Sequence, residues 1–335
     1  MKIIPRSTSL SSSHGHKPIH SKPLAETLPG DSVQIGTGAG QGEAIGEAAL
    51  KDAALKGAGG LPGKPAQGGT YTGNIRMHEN FHSNILDNDR NVLVYLPPGY
   101  NPGDGRRYPV VYMSDGQNLF NRETAFGGTE WGVDETAEKL MRQGLMKEAI
   151  IVGVYNTPDR MSEYTPVPDP RHGGGKAEKY EKFLIQELMP FINSNYRTKT
   201  GPMETGIAGS SLGGLLALHA RLKHPDVFGL VGPMSPSIWW ADKNIIKQFE
   251  NAPKPDGPAK IWLDIGTCES EQDDNHNGIP DAVENTREMG NTLLKKGYVF
   301  GRELFYYEEP GAGHNEHSWA NRMDKMLMTL LPKEE

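Results

Sequence analysis

The stretch Gly206-Ile207-Ala208-Gly209-Ser210-Ser211-Leu212-Gly213-Gly214 decides how the rest of the chain is read. It carries Gly-x-Ser-x-Gly centred on Ser211. An apolar run ending at Gly209 leads in, and a helix-forming stretch, Leu215 to Leu222, leads out. Strand, sharp turn and helix in that order are what a nucleophile elbow requires. Such a turn forces the serine into a strained conformation with its hydroxyl exposed. Glycines two before and two after let the neighbouring backbone pass without a Cβ clash. A bare Gly-x-Ser-x-Gly is common, and it is the flanks that separate this one from a plain Gly-rich turn.

Outward from the elbow, strand and helix patterns alternate. Asn91 to Leu96 reads as a strand ended by Pro97-Pro98-Gly99, and Pro109 to Met113 as another, stopped by Ser114-Asp115-Gly116. Ala149 to Tyr155 is a continuous apolar run of buried-strand type. Glu204 to Ala208 feeds the elbow; Leu230 to Met234, Lys260 to Ile265 and Arg302 to Tyr307 are further strands. Helical spacing marks Val133 to Gly144, Lys176 to Asn195, Asp281 to Lys296 and Ser318 to Leu331. Alternation of this kind predicts an α/β fold: a mostly parallel central sheet with helices on both faces and reactive groups at the carboxyl ends of its strands.

A serine is a poor nucleophile without a base, and the base needs an acid to orient it. Along chains with such an elbow the order is Ser, then Asp or Glu, then His. His219 and His224 fall on the helix after the elbow and read as packing or surface groups. His314 stands in Pro310-Gly311-Ala312-Gly313-His314-Asn315-Glu316, a Gly-rich loop after the last strand, where the base belongs; His317 competes in the same loop. The acid should follow the strand 260–265. Glu269 sits at strand-end distance, with Asp264 as the alternative. The oxyanion hole needs two backbone N–H groups, assigned here to Leu212 and Gln117, with Gly116 close behind. An ordinary β-turn at Asp115-Gly116 explains that stretch as well.

Further stretches sharpen the reading: Val94 to Tyr100, Met113-Ser114-Asp115-Gly116-Gln117-Asn118-Leu119-Phe120, Ser235-Pro236-Ser237-Ile238-Trp239-Trp240, and Gly313 to Trp319. With the elbow they resemble the "putative esterase" branch of the α/β-hydrolases over residues 75 to 330. That branch includes enterochelin (siderophore) esterases, feruloyl and acetyl-xylan esterases, S-formylglutathione hydrolase and mycolyltransferases. The resemblance implies the α/β-hydrolase fold, Ser211 as nucleophile, His314 as base, an acid on the Glu269 loop, and ester hydrolysis on small-molecule or carbohydrate-linked esters. It also implies that 156–160 and 235–240 border the substrate. Arg160 can hold a carboxylate there, although an ion pair with Glu163 explains it equally well. Trp239 and Trp240 can stack on an aromatic acyl group or a sugar, one of them being a core residue. An acyltransferase of mycolyltransferase type and a non-catalytic binding module are the alternatives; both reactive residues being present argues against the second.

A second motif lies between acid and base. Asp273, Asn275 and Asn277 fall at positions one, three and five of a calcium loop, Gly278 at six, Ile279 offers a carbonyl at seven, Asp281 sits at nine and Glu284 at twelve. It resembles the Asp-x-Asp-x-Asp-Gly-Ile-Pro-Asp-x-x-Glu repeats of bacterial calcium-binding proteins. Asn at three and five lowers the ligand charge, and no helix precedes the loop. A structural Ca2+ is expected, no organic cofactor, and no catalytic zinc. A solvated acidic turn before the helix starting near Pro280 is the alternative.

Residues 1 to about 70 are rich in Ser, Gly, Pro, Ala and Lys and hold no aromatic residue before Tyr71. Such a segment cannot bury enough apolar surface to offset the entropy of ordering, so a disordered N-terminal segment is expected before an esterase domain at 71–335. Gly42 to Lys56 has weak helical character, and His14, His16 and His20 read as solvated. A net charge of −7 gives no reason to expect nucleic acid or an anionic membrane as partner. The one cysteine, Cys268, excludes an internal disulfide framework. No apolar run is long enough for a membrane span, and Met1 to Pro18 lacks the apolar core of a signal peptide. The expectation is a cytoplasmic protein, or a secreted or periplasmic one if a signal has been removed.

Overall fold

The structure is a computed structural model and describes residues 61–333. Gly42 to Lys56 and the three early histidines lie outside the described residues. Residues 61–70, placed by composition in the tail, are described and carry the short strand β1 (Lys64–Pro65).

A nine-stranded mixed sheet runs in the order β1-β2-β3-β5-β4-β8-β9-β10-β11. Here β2 is Asn74–Ser83, β3 Asn88–Leu96, β4 Val110–Ser114, β5 Ile150–Val154, β8 Thr205–Ser210, β9 Leu230–Met234, β10 Lys260–Gly266 and β11 Leu304–Glu309; β6 (Pro168–Asp169) and β7 (Gly173–Gly174) form a separate two-strand ribbon. Strands β1, β2 and β3 pair antiparallel, as does β3 with β5. From β5 through β11 every pairing is parallel. Leu93, Tyr95, Val111 and Met113 point into the main cluster with Val133, Ala137, Met323 and Leu327. The alternate residues Val92, Val94, Val110 and Tyr112 are buried too. Both faces are therefore covered, which is why these strands read as unbroken apolar runs. Helices α1 (Val133–Arg142) and α9 (Met323–Leu330) pack together on the first face. Helices α5 (Leu212–Lys223), α6 (Trp240–Asn251) and α7 (Asp281–Lys295) form a contiguous row.

The remaining helices refine the sequence reading. Between β5 and α5 lie a single turn α2 (Arg160–Glu163), then α3 (Ala177–Phe183) and α4 (Met189–Asn195), joined by a π-helical stretch, Leu184–Leu188. The expected helix 176–195 is therefore present but widened in the middle. Pro190 lacks an N–H and its ring clashes with the carbonyl of residue 186, so the turn before it expands. The expected last helix is two: α8 (Glu316–Ala320) and α9, with Arg322 between them turned into the core. Strand β2 escaped the sequence reading because its alternation is broken: Asn80 has φ 52° and the register shifts between His78 and Phe81. Helix α6 escaped it too. Among the described residues no helix is long and apolar enough to cross a membrane.

His78 on β2 bonds the Tyr196 hydroxyl at 2.7 Å and meets the Phe191 ring edge-on at 5.0 Å. Burial, and then the charge of Arg76, push its pKa from 6.5 to about 4. A histidine depressed in the folded state stabilises fully above its unfolded pKa, and that contribution is lost as pH falls toward the folded one. The protein is expected to lose stability between pH 6.5 and about 4, and His78→Gln to flatten that part of the profile. Thermal melts of both proteins across the range check this; parallel profiles would refute it.

Candidate active site

Parallel register brings the ends of the strands into line. Ser210 pairs with Met234, and Gly266 with Glu309. The loops leaving β4, β8, β9, β10 and β11 therefore open on one edge, and they carry Asp115, Ser211, Ser235, Glu269 and His314. That edge is where a parallel sheet offers a crevice.

Ser211 sits between β8 and α5 with φ 57° and ψ −119°, a conformation rare for any residue but glycine. The turn is pinned on both sides: Ser211 N–H donates to Met234 O at 3.1 Å, and its carbonyl accepts from Leu215 and Ser237 N–H, both at 3.0 Å. A Cβ on Gly209 would come within 3.0 Å of Gly213, and one on Gly213 within 3.0 Å of Ser114. The two glycines of the motif are thus close-approach positions, which allow β8 and α5 to meet at so sharp an angle.

His314 Nε2 lies 3.0 Å from Ser211 Oγ, and His314 Nδ1 lies 2.8 Å from Glu269 Oε2. The serine, the imidazole and the carboxylate make one continuous hydrogen-bonded line. The other oxygen of Glu269 accepts from Gly266 N–H at 2.7 Å and from the Ser235 hydroxyl. The Glu269 side chain is almost fully buried, whereas His314 is partly open to solvent. The alternative acid, Asp264, is fully buried and does not reach the histidine. It accepts from Trp262 Nε1 at 2.7 Å, Ser235 N–H at 3.0 Å and Arg322 Nη2 at 3.1 Å. The competing base, His317, is bonded to Asn321, the residue that ends its helix.

Leu212 is the first residue of α5, so its N–H is one of those a helix start leaves unpaired. Gln117 lies in the 3-10 turn Gly116–Asn118 that follows β4. That turn is tight: a Cβ on Gly116 would come within 2.5 Å of the Gly153 backbone. Gln117 Oε1 accepts from Asn156 N–H at 3.2 Å. Arg160 does not form the ion pair with Glu163 that proximity suggests. Its Nε and Nη2 fork onto Asp115 at 2.7 and 2.8 Å, while Glu163 is taken by the buried Arg90 at 2.8 Å. The fork fixes the left-handed Asp115 that starts the Gly116–Asn118 turn, so Arg160 shapes the site from behind.

A cleft of about 1710 Å3 opens beside His314 and Glu269. Trp239 is 46% exposed on its wall, whereas Trp240 is buried with its Nε1 bonded to Val167 O at 2.8 Å. Only Trp239 is thus available for stacking. Arg171 lines the same cleft.

The 273–284 loop forms another part of that lining, through Asp274, Asn275, Asp281 and Glu284. It closes on itself. Asp273 accepts from Asn277 and Gly278 N–H at 3.1 and 2.8 Å; Asn275 and Asn277 Nδ2 both reach Glu284, at 2.7 and 2.6 Å; Asp281 accepts from Asp274 N–H at 3.2 Å. Positions three and five thereby converge on position twelve, and Gly278 takes φ 82° at the sharp turn. Asn275 and Asn277 Oδ1 accept from the N–H groups of Asn277 and Ile279 at 3.1 and 2.8 Å, so the loop backbone is already wound as a cation loop requires, and its side chains offer carboxylate and amide oxygens, the hard set calcium prefers. The residues fit the ion.

The family model described as "Putative esterase" matches residues 83–330. The chain belongs to this esterase family. The ferri-bacillibactin esterase BesA of Bacillus subtilis is 26% identical over 249 residues, 68% of this chain and 80% of that protein. The endo-1,4-beta-xylanase/feruloyl esterase of Xylanibacter ruminicola is 28% identical over 268 residues, 77% of this chain and 31% of that longer protein. Among solved structures, the BES protein from Bacillus cereus superposes with a TM-score of 0.59 at 23% identity, covering 80% of this chain and 98% of that one. The last likeness speaks for the α/β-hydrolase fold.

Sequence reasoning missed several residues of the esterase's site. Ser237 Oγ lies 3.1 Å from Ser211 Oγ, and Ser235 Oγ ties Glu269, Trp319 Nε1 and Arg322 together. Trp319 meets the His314 ring edge-on at 5.0 Å. The stretch 235–240 is more than a wall: Ser235 and Ser237 bond the Glu269 and Ser211 side chains, while Trp239 faces the cleft.

Proposed function

We propose that this esterase hydrolyses carboxylic esters through an acyl-enzyme on Ser211. The carrying observation is the unbroken line Glu269–His314–Ser211. His314 Nε2 takes the Ser211 proton as Oγ attacks the ester carbonyl. Glu269 holds Nδ1–H, fixing the tautomer and stabilising the imidazolium that forms. The N–H groups of Leu212 and Gln117 receive the developing oxyanion. His314 then gives its proton to the leaving alcohol, and water activated by the same nitrogen releases the acid.

The substrate class is a bulky aromatic acyl ester, of siderophore or feruloyl type. The open cleft and the exposed Trp239 support it, as do relatives named for ferri-bacillibactin and feruloyl esters. An aromatic contact of this kind contributes about 0.5–1.5 kcal/mol, hence about two- to tenfold in binding. Trp239→Ala is expected to raise KM by that factor for a catecholate trilactone or a feruloyl sugar, and to leave p-nitrophenyl acetate unaffected. Equal kinetics on all three would remove the aromatic acyl group from the reading.

The 273–284 loop takes a structural Ca2+ that holds the segment after Glu269. Its binding is expected to raise Tm and leave the chemistry to the protein's own groups. Dialysis against a chelator should lower Tm, calcium should restore it, and Glu284→Gln should weaken calcium affinity at this loop by about tenfold or more. Calcium titration by calorimetry reads this directly; equal affinity in the variant would sink it.

A further inference from the structure

Away from the cleft, three carboxylates meet at the first turn of α1. Glu130, Asp134 and Glu135 each bring an oxygen within 4.8 Å of the others. Each is held by a neutral partner on the strap 70–72: Thr70 Oγ1 donates to Glu130 at 2.6 Å, Thr72 N–H to Asp134 at 2.6 Å and Thr72 Oγ1 to Glu135 at 2.9 Å. The second oxygen of each, Glu130 Oε2, Asp134 Oδ1 and Glu135 Oε2, is buried and has no hydrogen-bond partner. Asp134 is completely buried. Buried acceptors are ordinarily satisfied, and a buried carboxylate ordinarily has a cation beside it. Three such acceptors on three neighbouring acids ask for a positive centre, a cation or the proton of an Asp134–Glu135 carboxyl pair.

We propose that Glu130, Asp134 and Glu135 form a calcium site that fastens the strap 70–72 to the start of α1. All donors are oxygens, the hard set that calcium takes six to eight of. Three carboxylates and no nitrogen or sulfur donor make a hard oxygen set, and the larger, flexible calcium shell accepts such an irregular cluster more readily than the strict octahedron of magnesium. The Thr70 and Thr72 hydroxyls tie the strap to two of the three acids.

The site is coupled to the reactive edge by packing. Trp131, next to Glu130, donates its N–H to Asn118 O at 2.8 Å, on the turn that carries Gln117. Its ring lies 5.5 Å from that of Trp319, which in turn packs on His314. Calcium here would steady the segment from the Gly116–Asn118 turn to α1.

The test uses the full chain, stripped with a chelator, then titrated with CaCl2 by calorimetry and followed by Tm. Glu284→Gln is the background, because it weakens the 273–284 loop. In that background one Ca2+ per chain is expected to bind, with Tm rising by about 5 °C at a hundredfold excess over Kd. Adding Glu130→Gln or, separately, Glu135→Gln should abolish both signals. The proposal is overturned if folded Glu284→Gln protein neither binds calcium nor shifts in Tm, or if both double variants keep the response. Failure of the loop's own assignment shows differently: Glu284→Gln then matches wild type, while Glu130→Gln alone loses the ion.

Discussion

Ser211→Ala is expected to lower kcat on p-nitrophenyl acetate by on the order of 10^5–10^6 with no loss of fold. The magnitude follows from what Oγ does. In the proposed mechanism it is the atom that bonds the acyl carbon, and it stands 3.0 Å from His314 Nε2, the base that would deprotonate it. Alanine keeps the Cβ and the turn, so β8, α5 and the bonds to Met234, Leu215 and Ser237 remain. The residual rate reflects the oxyanion donors and binding alone. Glu269→Gln tests the orienting role separately. An amide in place of the carboxylate can still bond Nδ1 but cannot stabilise an imidazolium, and a loss of roughly 10^4 in kcat is expected. Single-turnover kinetics with both variants, alongside circular dichroism, read these outcomes. Turnover within tenfold of wild type in Ser211→Ala would remove the nucleophile assignment. Ser237, 3.1 Å away, is then the next candidate.

How much of this could be read beforehand depends on how local each signal is. The elbow was legible because its requirements lie within nine residues: glycines where backbones touch, an apolar run before and a helix after. Glu269 and His314 were legible because they follow strands, and parallel strands deliver their loops to one edge. Partnerships across the fold were not. Nothing near Arg160 announces Asp115, 45 residues away, and Glu163 was the natural guess from proximity. Nothing in Asn321-Arg322-Met323 breaks the helical pattern, yet the chain turns there so that Arg322 can enter the core. Strand β2 carries polar residues because it lies near the sheet edge and pairs on one side only with the short β1. Trp239 and Trp240 are alike as residues; their separation into wall and core is settled by where α6 begins.

Arg322→Met is expected to destabilise the protein by about 3–5 kcal/mol, lowering Tm by roughly 6–20 °C. Arg322 is fully buried between two acids, with Nη2 at 3.1 Å from Asp264 and 3.6 Å from Glu269, and at 2.7 Å from Ser235 Oγ. Methionine fills much of the volume but leaves both carboxylates without their cation. Burial already pushes the Asp264 carboxyl up, and Arg322 is the largest influence holding it down. Removing that influence raises it further. A carboxyl raised in the folded state stabilises most below its unfolded pKa, and the contribution fades as pH rises through the folded one. The deficit of Arg322→Met against wild type should therefore be smallest near pH 4 and grow toward neutrality. The reverse trend would mean that lost packing, and not lost charge, sets the cost. Adding Asp264→Asn to Arg322→Met should return much of the lost Tm, because one of the stranded charges is gone and the pair is coupled. It should not return kcat. Two nitrogens of the guanidinium, Nε and Nη1, have no partner, so the pair is poorly satisfied as a stabilising device. What it does provide is a fixed charge behind Ser235 and Glu269, and through Glu269 a fixed orientation for His314. Recovery of Tm without recovery of kcat would separate those two roles; recovery of both would show that Ser235 and Gly266 hold Glu269 in place unaided.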